Sequence, residues 1–437
     1  MRPKLVAAAA VSIGAAMFLA GAVGPLRSGR SEAQLSPAVD VVDVEGRGTL
    51  GAGTVPRLRE LAARDPRDAD VHAQLGLAYL RRARDQADPF SLPSAEEALR
   101  TSLELRPDEN LEAFAGMAAL ANARHDFSES VEWSRRAIEA DPYESSSYGL
   151  LGDALFELGR VRAADAAYQR MVDVRPDVAS YVRVSYALQY HGRTRAALSA
   201  LRLALKAAGP TGETAAWVRH QMGDVYAGLQ DHSEAGRQNR VGIALAPGYV
   251  PPTVGLAETY AATGRLRQAI ALMEDAVREL PALEYMVTLG DLYRATGRGG
   301  RAEAQYAAVA DRLRDYRVNG VLPDADFVVF YADHGLRPRA ALREARSIYV
   351  DRPTAKTADA LAWMLYSLGR HRRASSYARE ALAGPGPDPS ILFHAGMIAR
   401  SLGEDERAVR LMRRALEVDA AFSVVDAPVA RRIVEAA

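Results

Sequence analysis

Proline returns at a fixed interval in this chain. Pro142 and Pro176 are 34 residues apart, and so are Pro247 and Pro281. The residues between them repeat as well. One unit reads Leu151-Gly152, Leu155, Gly159-Arg160, Ala164, Tyr168 and Pro176; another reads Leu256-Ala257, Tyr260, Gly264-Arg265, Ala269, Met273, Ala276 and Pro281. Met222-Gly223 with Tyr226, Ala235 and Pro247 keeps the same spacings, and so does Leu289-Gly290 with Tyr293, Gly297-Arg298, Ala302 and Tyr306. A period of this length marks one supersecondary unit that cannot bury its apolar face alone and has to stack on its neighbours. Gly152, Gly223, Gly290 and Gly396 are expected where two helices cross, and Ala164, Ala235, Ala269, Ala302, Ala374 and Ala408 are expected to meet them from the second helix. Tyr79, Tyr226, Tyr260 and Tyr293 should fill the space between hairpins. Gly159-Arg160, Gly192-Arg193, Gly369-Arg370 and Gly403-Glu404 read as turns, where glycine takes the left-handed conformation without penalty.

Leu-Gly-x-x-Tyr on a first helix, Ala on a second and a closing proline resemble the tetratricopeptide repeat family. The resemblance implies two antiparallel helices per unit. It also implies an all-α, right-handed α-solenoid whose concave groove, lined by the first helices, takes partner proteins as extended peptides or helices. Counting the units gives about nine or ten hairpins between residues 67 and 420, in an array that spans 54–420. A C-terminal capping helix is expected within 421–437, around Ala427–Ala436, because the last apolar face has no neighbour. The units are uneven. An insertion lies around Asp85–Pro93, irregular joints at Gly209–Glu213 and Tyr316–Asp326, and the eighth unit (Phe327, Tyr331, Gly335, Ala340) is the most degenerate.

Ahead of the array, Arg2 and Lys4 precede an uncharged run from Leu5 to Leu26, closed by Arg27 and Arg30. Residues 1–26 read as a signal peptide with its cleavage site at Ala20-Gly21-Ala22, or as a retained membrane anchor. Either reading places the remainder outside the cytoplasm. Residues 27–53, with Gly46, Gly48, Gly51 and Gly53, read as a flexible linker, after which Thr54 is expected to cap a helix ending at Asp65-Pro66.

The charges balance, with 55 basic and 55 acidic residues, so the basic excess that displaces counterions from nucleic acid is absent. There is no cysteine, which excludes disulfides and thiolate chemistry. No Gly-x-x-x-x-Gly-Lys phosphate loop or Gly-x-Ser-x-Gly elbow occurs, and no two of the eight histidines sit three to five residues apart as a local zinc site would need. Neither catalysis nor a cofactor is expected.

Binding residues are read from helical periodicity. One position after the packing glycine, or its equivalent, stand Asp153, Asp224, Glu258 and Asp291, which predicts an acidic stripe in the groove. Phe156, Tyr186, Tyr190 and Trp217 are inward candidates beside it, with Trp363, Tyr366 and Phe393 toward the far end. Acid beside aromatic suits a partner segment carrying arginine or lysine and an apolar anchor. Two other readings stay open: that the acids only solubilise the face, and that the aromatics stack against a small molecule or glycan. The lysine and asparagine clamp by which one subgroup of the family grips a C-terminal carboxylate is not expected, since Lys206 and Lys356 are the only lysines in the repeats.

Overall fold

A computed structural model of the chain describes residues 53–384 and 388–437. The expected leader or anchor at 1–26 and all of the expected linker except Gly53 lie outside the described residues. Those residues form twenty-two helices and no strand. Helix α1 (Thr54–Arg64) precedes ten antiparallel hairpins. The first five pair α2 (Ala69–Asp85) with α3 (Ser91–Leu105), α4 (Leu111–Ala123) with α5 (Phe127–Ala140), α6 (Ser145–Glu157) with α7 (Val161–Val174), α8 (Val178–Tyr190) with α9 (Thr194–Ala208), and α10 (Glu213–Gly228) with α11 (His232–Leu245). The second five pair α12 (Val250–Ala262) with α13 (Leu266–Glu279), α14 (Leu283–Ala295) with α15 (Gly299–Val318), α16 (Ala325–Asp333) with α17 (Pro338–Asp351), α18 (Ala355–Ser367) with α19 (His371–Ala381), and α20 (Pro389–Ser401) with α21 (Asp405–Val418). Helix α22 (Asp426–Glu435) packs against α21. The chain is an all-α solenoid.

Two local expectations shift. Thr54 is the first residue of α1 rather than its cap; Gly53 occupies that position and makes no side-chain bond. Tyr316 to Val318, expected in a joint, form the last turn of α15, which runs for 20 residues.

The two helices of a hairpin differ because they bury different amounts of surface. A first helix is wedged between its partner and the next hairpin, so α4 buries residues on all sides, from Ala113 through Asn122 without a break. A second helix faces solvent on its outer side and buries one stripe. In α21 that stripe is Ala408, Met412, Ala415 and Val418, one residue per turn.

The helix crossing is tighter than the sequence predicts, and its partner is a different residue. The expected alanines are buried, yet a Cβ added at Gly152 would overlap the ring of Tyr168, and one at Gly290 the ring of Tyr306. Met412 stands in the same place over Gly396, and Asn239 over Gly223. The side chain filling the glycine's space thus lies one turn beyond the alanine. Gly290→Leu is expected to destabilise the fold by about 2 kcal/mol, because the Tyr306 ring has nowhere to go. Denaturant unfolding checks this.

The solenoid curls until it meets itself. At the turn of hairpin one, the Ala87 carbonyl accepts a hydrogen bond from the Arg312 guanidinium on α15. At the turn of hairpin two, the Arg124 carbonyl accepts from the Leu322 backbone N–H at 2.9 Å, and His125 Nδ1 lies 3.3 Å from the Leu322 carbonyl. Glu157, at the turn of hairpin three, faces Arg352 at 3.9 Å, and the Arg352 guanidinium sits 4.8 Å over the Phe127 ring. Gln230, at the turn of hairpin five, donates to the carbonyl of Val418 at 3.0 Å. The turns of hairpins one, two, three and five therefore stack on α15 and on the C-terminal ends of α15, α17 and α21, and the open groove becomes a channel.

Candidate functional site

The channel encloses a cavity of about 890 Å3, walled mostly by first helices from α2 to α20 and closed by residues of the 419–429 segment. Nine carboxylates line it (Asp224, Glu258, Glu284, Asp291, Asp324, Asp326, Asp333, Asp419 and Asp426) against two arginines, Arg84 and Arg294, and three histidines. Phe327, Phe330, Trp363, Tyr366, Phe393 and Phe422 supply its aromatic wall.

The carboxylates divide into two kinds. Asp324 and Asp326 stand where the chain closes on itself, beside cations. Lys356 meets Asp326 at 2.8 Å, and burial of Asp324 is outweighed by Lys356, His125 and Arg352, which hold its carboxyl well below the usual range. The second kind has little such compensation. Burial first, and then the like charges of Asp224 and Glu284, push Glu258 up to about 8. Glu258 presents exposed surface to the channel, and the protein packed around that channel is what raises it. Asp224 is raised by burial and has only His220 nearby, at 3.6 Å, to oppose it. Burial also pushes Asp291 up to about 6, against a 2.6 Å hydrogen bond donated by Tyr306. Asp333 is pushed up to about 6, again by burial first, with His394 and the Trp363 indole N–H opposing.

Six of the eleven residues expected in the groove line this cavity: Asp224, Glu258, Asp291, Trp363, Tyr366 and Phe393. The other five lie elsewhere. Asp153 occupies the same repeat position as Asp291 but meets the guanidinium of Arg183 at 2.8 Å and accepts from the Tyr168 hydroxyl at 3.1 Å. Arg183 is buried, with 4% of its side chain exposed, so this pair is internal to the joint of hairpins three and four. Phe156 packs edge-on against Tyr186 at 4.7 Å and Tyr190 at 4.9 Å, a cluster joining the same two hairpins. Trp217 is half-buried against the core around Val218 and Met222. Sequence reasoning missed the other six lining carboxylates, Glu284, Asp324, Asp326, Asp333, Asp419 and Asp426. Glu284 precedes Asp291 by seven residues, two turns along one face, so the signal for it was present. Asp333 had none, because α16 is the most degenerate helix of the series.

Among the described residues no group of three or more acidic or histidine side chains could hold a metal ion, and no helix is long and apolar enough to cross a membrane.

Asp153→Ala is expected to cost about 3–5 kcal/mol of stability in denaturant unfolding, since it strands a buried guanidinium; Asp224→Ala should cost far less. The pH response of Glu258 has the opposite sign to that of a salt-bridged acid. Its ordinary value is near 4.5 and its folded value about 8, so between them folding takes up a proton and stability falls as pH rises. Glu258→Gln should raise Tm above pH 8 and leave it unchanged near pH 4.

Family models described as tetratricopeptide repeat match residues 145–178, 254–317, 354–384 and 389–422. Anaphase-promoting complex subunit 7 of Arabidopsis thaliana is 26% identical over 186 residues, which is 42% of this chain and 32% of that protein. The match thus spans about a third of that relative's length. Among solved structures, the APC/C hetero-tetramer Cut9–Hcn1 superposes with a TM-score of 0.43 at 12% identity, over 87% of this chain and 92% of that one. The human IFIT1 dimer with PPP-AAAA gives 0.43 at 16% identity, over 85% and 95%.

Proposed function

Because the chain belongs to the tetratricopeptide repeat family, we propose that it is a non-catalytic scaffold that holds a segment of another protein inside its channel. The segment carries arginine or lysine next to an apolar side chain. One observation carries this reading: a cavity of about 890 Å3, in the range of specific binding pockets, whose wall is mostly apolar and whose carboxylates outnumber its arginines even with Asp324 and Asp326, which the seam cations hold, set aside. A buried carboxyl avoids the cost of its charge by keeping its proton, as Glu258 does up to about 8, or by meeting a counter-charge, which an incoming cation supplies. The Arabidopsis relative is by name a subunit of a complex, which supports work done by holding proteins together. A second reading has one observation in its favour. Trp363 and Tyr366 stack in the channel at 4.7 Å, a platform that also suits a sugar or a small planar molecule.

Calorimetry on the full chain separates the two. The panel comprises basic–apolar peptides, the same peptides with acids replacing the bases, and oligosaccharides. Basic–apolar peptides should bind and acidic ones should not. The triple change Asp224→Asn, Glu258→Gln, Asp291→Asn should weaken binding by about tenfold or more, the equivalent of a single lost charge contact. Equal affinity for acidic peptides would sink the proposal, and preference for the sugars would transfer the channel to the second reading.

A further inference from the structure

The channel changes character along its length. Toward the cap its wall turns aromatic: Tyr366 lies parallel to Trp363 with planes 9° apart, Phe393 meets Trp363 at 6.3 Å, and Phe422 meets Phe393 at 5.8 Å. Three channel carboxylates gather here, each steadied by a neighbouring donor. Tyr306 donates to Asp291 at 2.6 Å, the Trp363 indole N–H to Asp333 at 2.6 Å, and Ser423 to Asp426 at 3.0 Å. A carboxylate holding one such bond keeps acceptor capacity for a second partner. The cations nearby are few. His394 lies 2.8 Å from Asp359 and stacks on Trp363 at 4.0 Å. Burial would lower it, but Asp359 first, and then Asp333 and Asp426, push it up to about 9, so it is a cation bonded to Asp359 in the wall. Arg294 is the remaining channel arginine at this end. The carboxylates come from α14, α16 and α22, and they do not converge closely enough to hold a metal ion. The space between separated acids, bounded by rings, fits a larger and flatter cation.

We propose that this end of the channel seats one arginine side chain of the partner, with the guanidinium between Asp291, Asp333 and Asp426 and the stem against Tyr366 and Phe422. Arginine matches both halves of the site, since its planar fork bonds carboxylates and its face stacks on aromatic rings. Lysine is a hydrated point charge and matches only the acids. Phe422 and Asp426 follow the last hairpin, so the cap is part of the binding site as well as a lid on the final apolar face. The inference rests on the peptide-binding reading above and adds to it a location and a side chain.

The test is a double-mutant cycle on the full chain. One basic–apolar peptide is made in three forms, with arginine, lysine or citrulline at a single position; citrulline keeps the shape and hydrogen-bonding plane and loses the charge. The protein is taken unchanged, as Asp333→Asn with Asp426→Asn, and as Asp224→Asn with Glu258→Gln, each checked for an intact thermal transition. Arginine should bind the unchanged protein about tenfold or more tightly than citrulline. That ratio should collapse toward one in the Asp333/Asp426 variant and survive in the Asp224/Glu258 variant. The reverse pattern would overturn this seat while leaving the peptide-binding function standing. Lysine binding as tightly as arginine would overturn the choice of side chain, and no binding by any of the three peptides would remove both proposals together.

Discussion

The contact of the solenoid with itself is the constraint on which the other features depend. Ten hairpins alone would leave an open groove with its carboxylates in bulk water. Closure brings Leu322 to Arg124, Arg312 to Ala87 and Gln230 to Val418, pairs separated by roughly 190 to 225 residues of chain. Its cost is visible in the backbone. Most turns within hairpins place glycine in the left-handed region, but Ala87, His125 and Gln230 sit there too, with φ of 48°, 61° and 60°. A side chain at such a position costs roughly 1–2 kcal/mol, and it persists where the surroundings over-determine it. All three residues are closure contacts. His125 and Gln230 need side chains to reach across, so glycine would be easier for the turn and useless for the seam.

Closure also explains why acids along the channel have different properties. Glu258 and Asp291 face an enclosed channel and are pushed upward by burial. Asp324 faces the seam, where Lys356, His125 and Arg352 overcome that same penalty. Burial alone therefore does not decide the charge state; the local supply of cations does. Where the chain provides them, the carboxylate is part of the architecture. Where it does not, the carboxylates hold their protons to higher pH, and a cation entering the channel, as proposed above, would offset the same penalty.

The hairpins and their turns were legible in the sequence because they depend on residues no more than a period apart. The 34-residue spacing of the prolines, the glycines at the crossing and the left-handed turns are all local. The channel was not legible, because a small rotation per repeat has to accumulate over five or six hairpins before Arg124 meets Leu322, and no short-range pattern encodes that sum. Asp153 shows the same limit at one residue. By position it is indistinguishable from Asp291, and both accept from a tyrosine fifteen residues later. What separates them is Arg183 on the neighbouring hairpin, a difference in the neighbour rather than in the acid. Asp426 lies outside the repeats altogether, so periodicity could not point to it.

The seam is graded, and its gradient bears on how a closed channel meets a partner. At hairpin two it is apolar as well as polar: Val321 is buried in the same cluster as Leu80 and Leu120, with Tyr316 and Phe327 packed against it, so separation there would uncover core. At hairpin three it combines the Glu157–Arg352 pair with the stacking of Arg352 on Phe127. At hairpin five it rests on the amide of Gln230, with one bond of 3.0 Å to Val418 and another of 3.4 Å to Glu417. Two exposed or part-buried hydrogen bonds to backbone carbonyls are worth little net, because water replaces them when they part. The seam is thus weakest beside the cap, at the end where the aromatic wall and the three steadied carboxylates lie. On the proposed reading, a segment reaching the channel from that side would displace the fewest interactions and meet first the aromatic wall and these three carboxylates.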